Sequence, residues 1–464
     1  MSAAHIRRFH LQEGQALAAG LALAAIGGLA LFALHHLGQT AQARARLTHA
    51  ADAAAYSGAV LQARHLNYLA YANRTQVAHQ IAMAHLVTLA ASAQQAATMQ
   101  ARHGRAHPPA GLIAMLFGPS LALAYGSARE QPGALARLAS AFALHDRAAQ
   151  VVVEAEARRA QLDLPRAREQ RVREVIEANL GPGSTHGSVA LHWLSDGWPG
   201  FVYAARSQVG GFLRQTVHRA AGRYGFLQRR DFTRRNAWPV SYRCPLRRHE
   251  LRRRGFSWLD MDGRWGALDT QSFHALRSNR WIGCYYREYA MGWGATQGRN
   301  AKPPPGTDYV ENPPADFSQE DFWRWVAHTT SWDIFSGKTN PLANSFAMFS
   351  AARWKSAGLP PYREVQAARH AHALRFAVAL KQRSGAPSPS VAAGVPHGIL
   401  GQIRLAVSAS APAVTVTSAA ETYFSRPGPR SDGKDELASL FRPYWQARLS
   451  AVTPREAASA RRLP

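Results

Sequence analysis

Two cysteines, Cys244 and Cys284, are the residues of this sequence with the clearest scope for covalent chemistry, because no others occur in its 464 residues. Two are too few for a cysteine-rich zinc module or a disulfide scaffold. They can form one disulfide or remain two buried thiols. In an oxidising compartment, a bridge closing this loop of about 40 residues is expected to stabilise the fold by roughly 3 to 4 kcal/mol.

An arginine-rich segment from Arg223 to Arg254 is the second candidate site, in a chain whose net charge is +26. Arginine beside aromatic residues is typical of grooves that bind single-stranded nucleic acid. Here the signal is composition without a recognised fold motif, so it does not favour nucleic acid. Beside a membrane, contact with anionic lipid or cell-wall polymer is the better interpretation, and a solvated loop is the plainer alternative. The candidate contact residues are Arg229, Arg230, Arg234, Arg235, Arg252, Arg253 and Arg254.

Motifs for catalysis, metals and cofactors do not emerge from the spacing. The 20 histidines contain no His-Glu-x-x-His pattern and no cysteine-histidine spacing, so we predict no metal site. Gly337-Lys338-Thr339 ends like a phosphate loop, but Trp332 stands where its first glycine is required. No Gly-x-Ser-x-Gly elbow occurs either. The sequence therefore predicts a protein that is not an enzyme and needs no cofactor.

A long apolar segment lies near the N-terminus and precedes both candidate sites. Residues 1–15 include Arg7 and Arg8, and the apolar run from Ala16 to Leu34 lies within segment 16–37. About 20 such residues are needed to cross roughly 30 Å of hydrocarbon, so we expect a transmembrane helix. A cleaved secretory signal is the alternative, although its apolar region is usually only about 7 to 15 residues long.

Small residues recur every fourth position along this segment. They form a smooth ridge on which a second transmembrane helix could pack, unless they only reflect how common alanine and glycine are in this chain. Arg7 and Arg8 favour a cytoplasmic N-terminus, while Arg44 and Arg46 weaken that bias. With that orientation the rest of the chain lies outside the cytoplasm. The ridge residues are Ala16, Gly20, Ala24 and Gly28.

Segment 38–102 contains no proline and predicts a stalk helix that continues the span. A seven-residue spacing gives it a narrow seam of mostly small residues. We expect this seam to pack closely against a partner helix, or against the chain's own later domain. The seam residues are Leu47, Ala51, Ala54, Gly58 and Leu61.

Both ends of the chain resemble a known family. After Gly14-Gln15 and the apolar span comes Arg46-Leu47-x-x-Ala50-Ala51-Asp52-Ala53-Ala54-Ala55, and near the other end stands Pro443-Tyr444-Trp445-Gln446-Ala447-Arg448-Leu449. These stretches are similar to the N-terminal and C-terminal regions of TadE/TadG-like proteins of Flp (tight adherence) pilus assembly. The resemblance covers both ends and leaves the middle of the chain without a family.

The resemblance implies a single-pass protein of the bacterial inner membrane with a periplasmic body on a pilin-like helix. Its partners would be other membrane-anchored pilus-assembly or secretion proteins. Ala19 stands at the fifth position after Gly14, where pilin-like relatives carry glutamate, which favours an uncleaved component of the machine. Two other functions stay open: an anchored periplasmic hydrolase acting on cell-wall material, and an anchored nucleic-acid-binding protein.

The remaining sequence predicts an α+β body. Short strands are expected at residues 189–193, 200–203 and 414–418, and a closing helix at residues 437–449. The predicted regions are a helical region 103–178, a mixed strand and aromatic body 179–300, a proline-rich linker 301–316, an aromatic-rich helical region 317–383, a loop 384–398, and C-terminal strands and helix 399–464.

Overall fold

The computed structural model describes residues 15–206, 211–279, 283–297, 352–366, 373–382, 414–434 and 436–463. The chain forms two compact units. Unit 1 comprises Met1–Tyr68, Ala160–Tyr203 and Val365–Pro464, and unit 2 comprises Leu69–Arg159 and Ala204–Glu364. Each unit combines distant parts of the chain.

The helices and strands follow one another in an α+β order. The helices are α1 (Gln15–Gly104), α2 (Ala110–Phe117), α3 (Pro119–Ser127), α4 (Ala134–Arg147), a π-helical turn (Ala148–Val153), α5 (Glu154–Leu180), α6 (Phe212–Ala221) and α7 (Pro454–Arg461). The strands are β1 (Val189–Asp196), β2 (Val202–Ala205), β3 (Arg230–Asp231), β4 (Arg234–Arg235), β5 (Glu250–Leu259), β6 (Trp265–Asn279), β7 (Gly283–Gln297), β8 (Ala352–Arg353), β9 (Tyr362–Val365), β10 (Ala373–Gln382), β11 (Thr415–Phe424) and β12 (Trp445–Ser450).

Helix α1 is one continuous helix over the predicted span 16–37 and the predicted stalk 38–102. Alanine, the strongest helix former, is frequent in it, and proline is absent. Within the described residues, α1 is long and apolar enough to cross a membrane. The expected architecture, a long apolar N-terminal helix followed by a sheet-rich body, is confirmed.

Unit 1 is built on a four-stranded antiparallel sheet in the order β1-β10-β11-β12. Helices α1 and α5 share one core with this sheet. Ala51 of α1 lies in the same buried cluster as Val172 of α5 and Leu380 of β10. Small residues on α1 let the helix approach closely: a Cβ added to Gly58 would lie 2.8 Å from Cζ of Phe376.

Unit 2 contains a sheet in the order β3-β5-β6-β7-β8, in which β4 also pairs with β5. Helices α1, α2 and α3 cover one side of it, and Met99, Ile113, Phe273 and Met291 are buried together there. In this unit the small residues stand on the sheet. A Cβ on Gly294 of β7 would lie 2.0 Å from the carbonyl oxygen of Ala91.

Amide side chains of α1 hydrogen-bond to extended backbone in both units, from the half-buried Asn67 and the buried Asn73. In unit 1, Asn67 donates to the carbonyl oxygen of Trp445 at 3.0 Å and accepts from its N–H at 3.0 Å. In unit 2, Asn73 contacts both backbone groups of Arg363 in the same way, at 2.7 and 3.2 Å. Each amide satisfies one backbone N–H and one C=O that would otherwise be buried without partners, as a neighbouring strand would.

Several predicted elements can be compared with the structure. The strands expected at 189–193, 200–203 and 414–418 correspond to β1, β2 and β11. The region 317–383, expected to be helical, forms strands β8, β9 and β10 wherever it is described. The middle of β10 is buried on both faces, and a continuous apolar run does not distinguish a buried strand from a helix.

The closing helix expected at 437–449 is also wrong. Residues 445–450 form β12, which pairs antiparallel with β11. Cross-strand pairing with a distant segment decides this structure, and local sequence does not reveal it. The linker 301–316 and the loop 384–398 lie outside the described residues.

Replacing Gly294 with alanine tests the close contact between helix α1 and β7. The added Cβ would lie 2.0 Å from the Ala91 oxygen and 2.6 Å from the Gln95 nitrogen. Because backbone atoms must then shift, we expect the free energy of unfolding to fall by about 1 to 3 kcal/mol. Chemical denaturation in detergent measures it. The matched control is Gly225→Ala, where a Cβ meets nothing within 4 Å. Equal stability of the two variants would contradict the contact.

Candidate interaction surfaces and a buried polar cluster

The described side chains in the apolar part of α1 are exposed to solvent. Large side chains such as Leu21, Ile26 and Leu31 are at least 63% exposed. The predicted ridge residues Ala16, Gly20, Ala24 and Gly28 are all exposed. A Cβ added to Gly20 or Gly28 meets nothing within 4 Å. This surface is therefore open to lipid or to another helix.

The predicted seam is instead filled by the chain itself. Leu47, Ala51 and Ala54 lie in the core of unit 1 with residues of α5 and the sheet. Gly58 contacts Phe376, and Leu61 is half-buried. Of the two packing partners that the sequence left open, the structure shows the chain's own later domain. These residues are not available to a partner helix.

The outward face of α1 in unit 1 is the surface that sequence reasoning missed. Tyr56 and Tyr68 are 46% and 45% exposed, and Arg64 between them is exposed. Val60 completes a row at four-residue spacing, which places these side chains on one side of a helix. The seven-residue spacing that gives the seam also reaches Tyr68, seven residues after Leu61. Heptad spacing alone does not tell which side of the helix a tyrosine takes.

A buried arginine, Arg168 of α5, lies at the centre of unit 1. Its guanidinium donates to Oε1 of Gln62 at 2.5 Å and forms an ion pair with Asp196. It also lies over the rings of Trp193 and Phe376, 5.0 and 4.8 Å from their centroids. A buried charge needs such partners, because removing one would leave the other charge uncompensated.

The seven candidate arginines divide into two groups in unit 2. Arg230, Arg252 and Arg254 are largely covered and pair with Asp269, Glu250 and Asp231 at 2.9, 2.8 and 3.3 Å. The other four, Arg229, Arg234, Arg235 and Arg253, are exposed. The first group holds the sheet together. In the exposed group, Arg235 also pairs with Glu250, at 3.0 Å.

The disulfide between Cys244 and Cys284 is present, with the two Cα atoms 6.1 Å apart. It joins the segment that precedes β5 to the beginning of β7. Cys244 is buried together with Leu276 and Tyr286. The bridge therefore fixes an arginine-rich loop to the end of the sheet.

A cluster of buried polar side chains crosses strands β5, β6 and β7. Glu250, His274 and Glu288 occupy neighbouring register positions, and each is less than 10% exposed. Oγ of Ser272 lies 2.9 Å from Nε2 of His274, and Oε1 of Glu288 lies 3.8 Å from that same nitrogen. Burial, then the charges of Arg252 and Arg254, lower the pKa of His274 well below its ordinary value.

The geometry of this cluster differs from that of a nucleophile triad. In a triad the hydroxyl and the carboxylate contact opposite nitrogens of the imidazole. Here Ser272 and Glu288 both approach Nε2. The arrangement suits a neutral, buried histidine that stabilises the sheet.

No group of three or more metal-ligating side chains capable of holding an ion occurs in the part of the chain that the structure describes. Comparison with known proteins gave no match to a protein family, to a curated protein or to a solved structure.

The buried histidine predicts a stability that depends on pH. Folded His274 stays neutral below pH 6.5, whereas an unfolded histidine takes up a proton at about that pH. Unfolding therefore binds a proton, and stability is lost as the pH falls below about 6.5. Denaturant unfolding between about pH 8 and 5 should show a shallower loss for His274→Gln. The control is His85→Gln, an exposed histidine of the same unit. Identical slopes for wild type and His274→Gln would contradict this assignment.

Proposed function

We propose that this chain is a membrane-anchored, non-enzymatic component of a Flp/Tad-type pilus-assembly or related secretion machine. In this proposal α1 crosses the inner membrane with its apolar segment and makes protein contacts with its exposed face. The body then lies in the periplasm and the N-terminus in the cytoplasm. The observation that carries the proposal is that α1 is one continuous helix. Its first part exposes apolar side chains, and its later part packs against a β-sheet.

The membrane anchor is supported by the exposure of the apolar segment. Moving a Leu or Ile side chain out of water is favourable by about 1.5 to 3 kcal/mol. A row of exposed Leu and Ile side chains therefore favours transfer of the helix into hydrocarbon. The basic residues Arg7 and Arg8 favour a cytoplasmic N-terminus. The disulfide suits an oxidising compartment such as the periplasm.

The scaffolding role is supported by the division of α1 into two faces. The small residues of the seam are used inside the chain, and the opposite face presents Tyr56, Arg64 and Tyr68 to solvent. Tyrosine and arginine are enriched where protein interfaces concentrate their binding energy. Because this face continues the membrane segment along one helix, other membrane-anchored proteins can reach it. The resemblance of the chain ends to TadE/TadG-like proteins suggests the class of partner.

Photo-crosslinking in cells tests this proposal. A photoreactive residue at Tyr56 or Tyr68 should give adducts with other membrane proteins or with a second copy of the chain. The matched control is the same residue at Arg166, which is exposed on α5 in the same unit. Adducts from Arg166 alone would contradict the proposed contact face.

A double substitution on the same face should weaken the binding of partner proteins. Tyr56→Ser with Tyr68→Ser removes two exposed rings without entering the core. Partner recovery in co-purification should fall at least about fivefold, because each interface tyrosine that matters contributes on the order of 1 kcal/mol or more. Membrane localisation should not change. Unaltered recovery of the partners would remove this face from the account.

A further inference from the structure

A short loop of unit 2 is held rigidly and carries apolar side chains that the chain does not cover. We name residues 237–248 the tip loop. Its two ends are joined by Asn236 and His249. Asn236 donates its N–H to the carbonyl oxygen of His249 at 3.2 Å, and Oδ1 of Asn236 accepts from the N–H of His249 at 2.8 Å.

The middle of the tip loop is fixed as well. The disulfide joins Cys244 to Cys284, and Oγ of Ser241 lies 2.9 Å from Oγ of Ser278. Two turns surround the bridge, since Cys244 donates its N–H to Ser241 and Arg247 donates its N–H to Cys244, both at 3.1 Å. The loop conformation is therefore determined before any partner arrives.

The apolar side chains of the tip loop face solvent. Leu246 is 93% exposed, Tyr242 is 84% exposed and Trp238 is 45% exposed. Leu246 and Tyr242 stand on either side of the buried Cys244, so the disulfide holds them outward. Grouped exposed apolar side chains mark surfaces that contact a partner or a membrane.

The charge of the tip loop defines the partner. Residues 237–248 contain three arginines and no acidic residue. Arg243 donates through Nε to the hydroxyl of Tyr242 at 3.0 Å, and its guanidinium lies 5.4 Å from that ring centroid. The nearby carboxylate of Glu250 is buried and is bound by Arg235 and Arg252. Two copies of this loop would repel each other, so its partner is anionic.

We propose that the tip loop binds an anionic lipid surface. Leu246 and Tyr242 enter the boundary between headgroups and acyl chains, while Arg243 and its neighbours contact headgroup phosphates. Tyrosine and tryptophan favour that boundary, and each basic residue near it adds about 1 kcal/mol. The most exposed residue is leucine, which has no ring on which a base could stack. The loop therefore favours lipid over single-stranded nucleic acid, and the inference does not rest on the pilus-assembly role.

Flotation with vesicles tests the inference on the full chain. The protein is held in nanodiscs of phosphatidylcholine and mixed with vesicles that contain phosphatidylglycerol or phosphatidylcholine alone. A chain that stays soluble without discs enters the same assay directly. We expect it to float with anionic vesicles only, and to lose this binding in high salt. Flotation with neither kind of vesicle overturns the inference.

Matched variants separate insertion from charge. Leu246→Ser should weaken vesicle binding roughly tenfold, and Met261→Ser, at an exposed apolar residue elsewhere in unit 2, should not change it. Arg243→Gln should weaken binding about fivefold, and Arg158→Gln on an exposed helix position of unit 2 should not. Binding that depends on Arg243 but not on Leu246 overturns the lipid assignment.

A fluorescent single-stranded oligonucleotide supplies the competing outcome. We expect vesicles to bind more tightly than the oligonucleotide, and Leu246→Ser to leave oligonucleotide binding unchanged. Tight oligonucleotide binding that excludes the vesicles would assign the tip loop to nucleic acid instead.

Discussion

The close approach of helix α1 to β-sheet backbone is the constraint on which both units depend. A helix comes this near to a sheet only where one of the two surfaces lacks side-chain bulk. In unit 1 the helix supplies the small residues, and Gly58 receives the ring of Phe376. In unit 2 the sheet supplies them, and Gly292 and Gly294 receive the backbone of α1. The small residues of α1 in unit 1 are thus a packing requirement.

Several polar groups inside these contacts are satisfied by side chains of the same unit. Asn67 and Asn73 each bind both backbone groups of one extended residue in their own unit. Arg168 is held in unit 1 by a carboxylate, an amide and two aromatic faces. Buried hydrogen bonds of this kind favour a single packing arrangement, since a shift would leave their polar groups unpaired.

The sequence predicts the elements that depend on local pattern. Continuous helix α1, its exposed apolar segment and the strands β1 and β11 follow from composition and spacing. The sequence alone allows the two cysteines to form a disulfide or to remain two thiols, and the structure contains the disulfide. The course of β10 and β12 does not, because pairing with distant strands decides it. The two-faced use of α1 is also hidden in the sequence. An alanine at a seam position can pack against a partner helix or against the chain's own sheet. Only the folded structure shows which of the two it contacts.

Which of the arginines form ion pairs could not be predicted from the sequence. Composition groups seven of them together, whereas the structure places four in ion pairs with carboxylates of the sheet. Which carboxylate lies beside which guanidinium depends on strand register. Gly255 of β5 lies beside both Asp269 and Arg230. These two side chains can pair only because Gly255 has no side chain to occupy the space between them. Sequence spacing contains no such information.

In the proposed role, the apolar segment of α1 must lie in a membrane. Alkaline extraction of cell membranes, applied to the full chain and to a Leu21→Arg, Ile26→Arg variant, measures this. We expect the full chain to stay in the membrane pellet and the variant to appear in the soluble fraction, because an arginine costs about 2.5 to 3.5 kcal/mol at the centre of a span. Release of the unaltered chain by alkali would contradict the account.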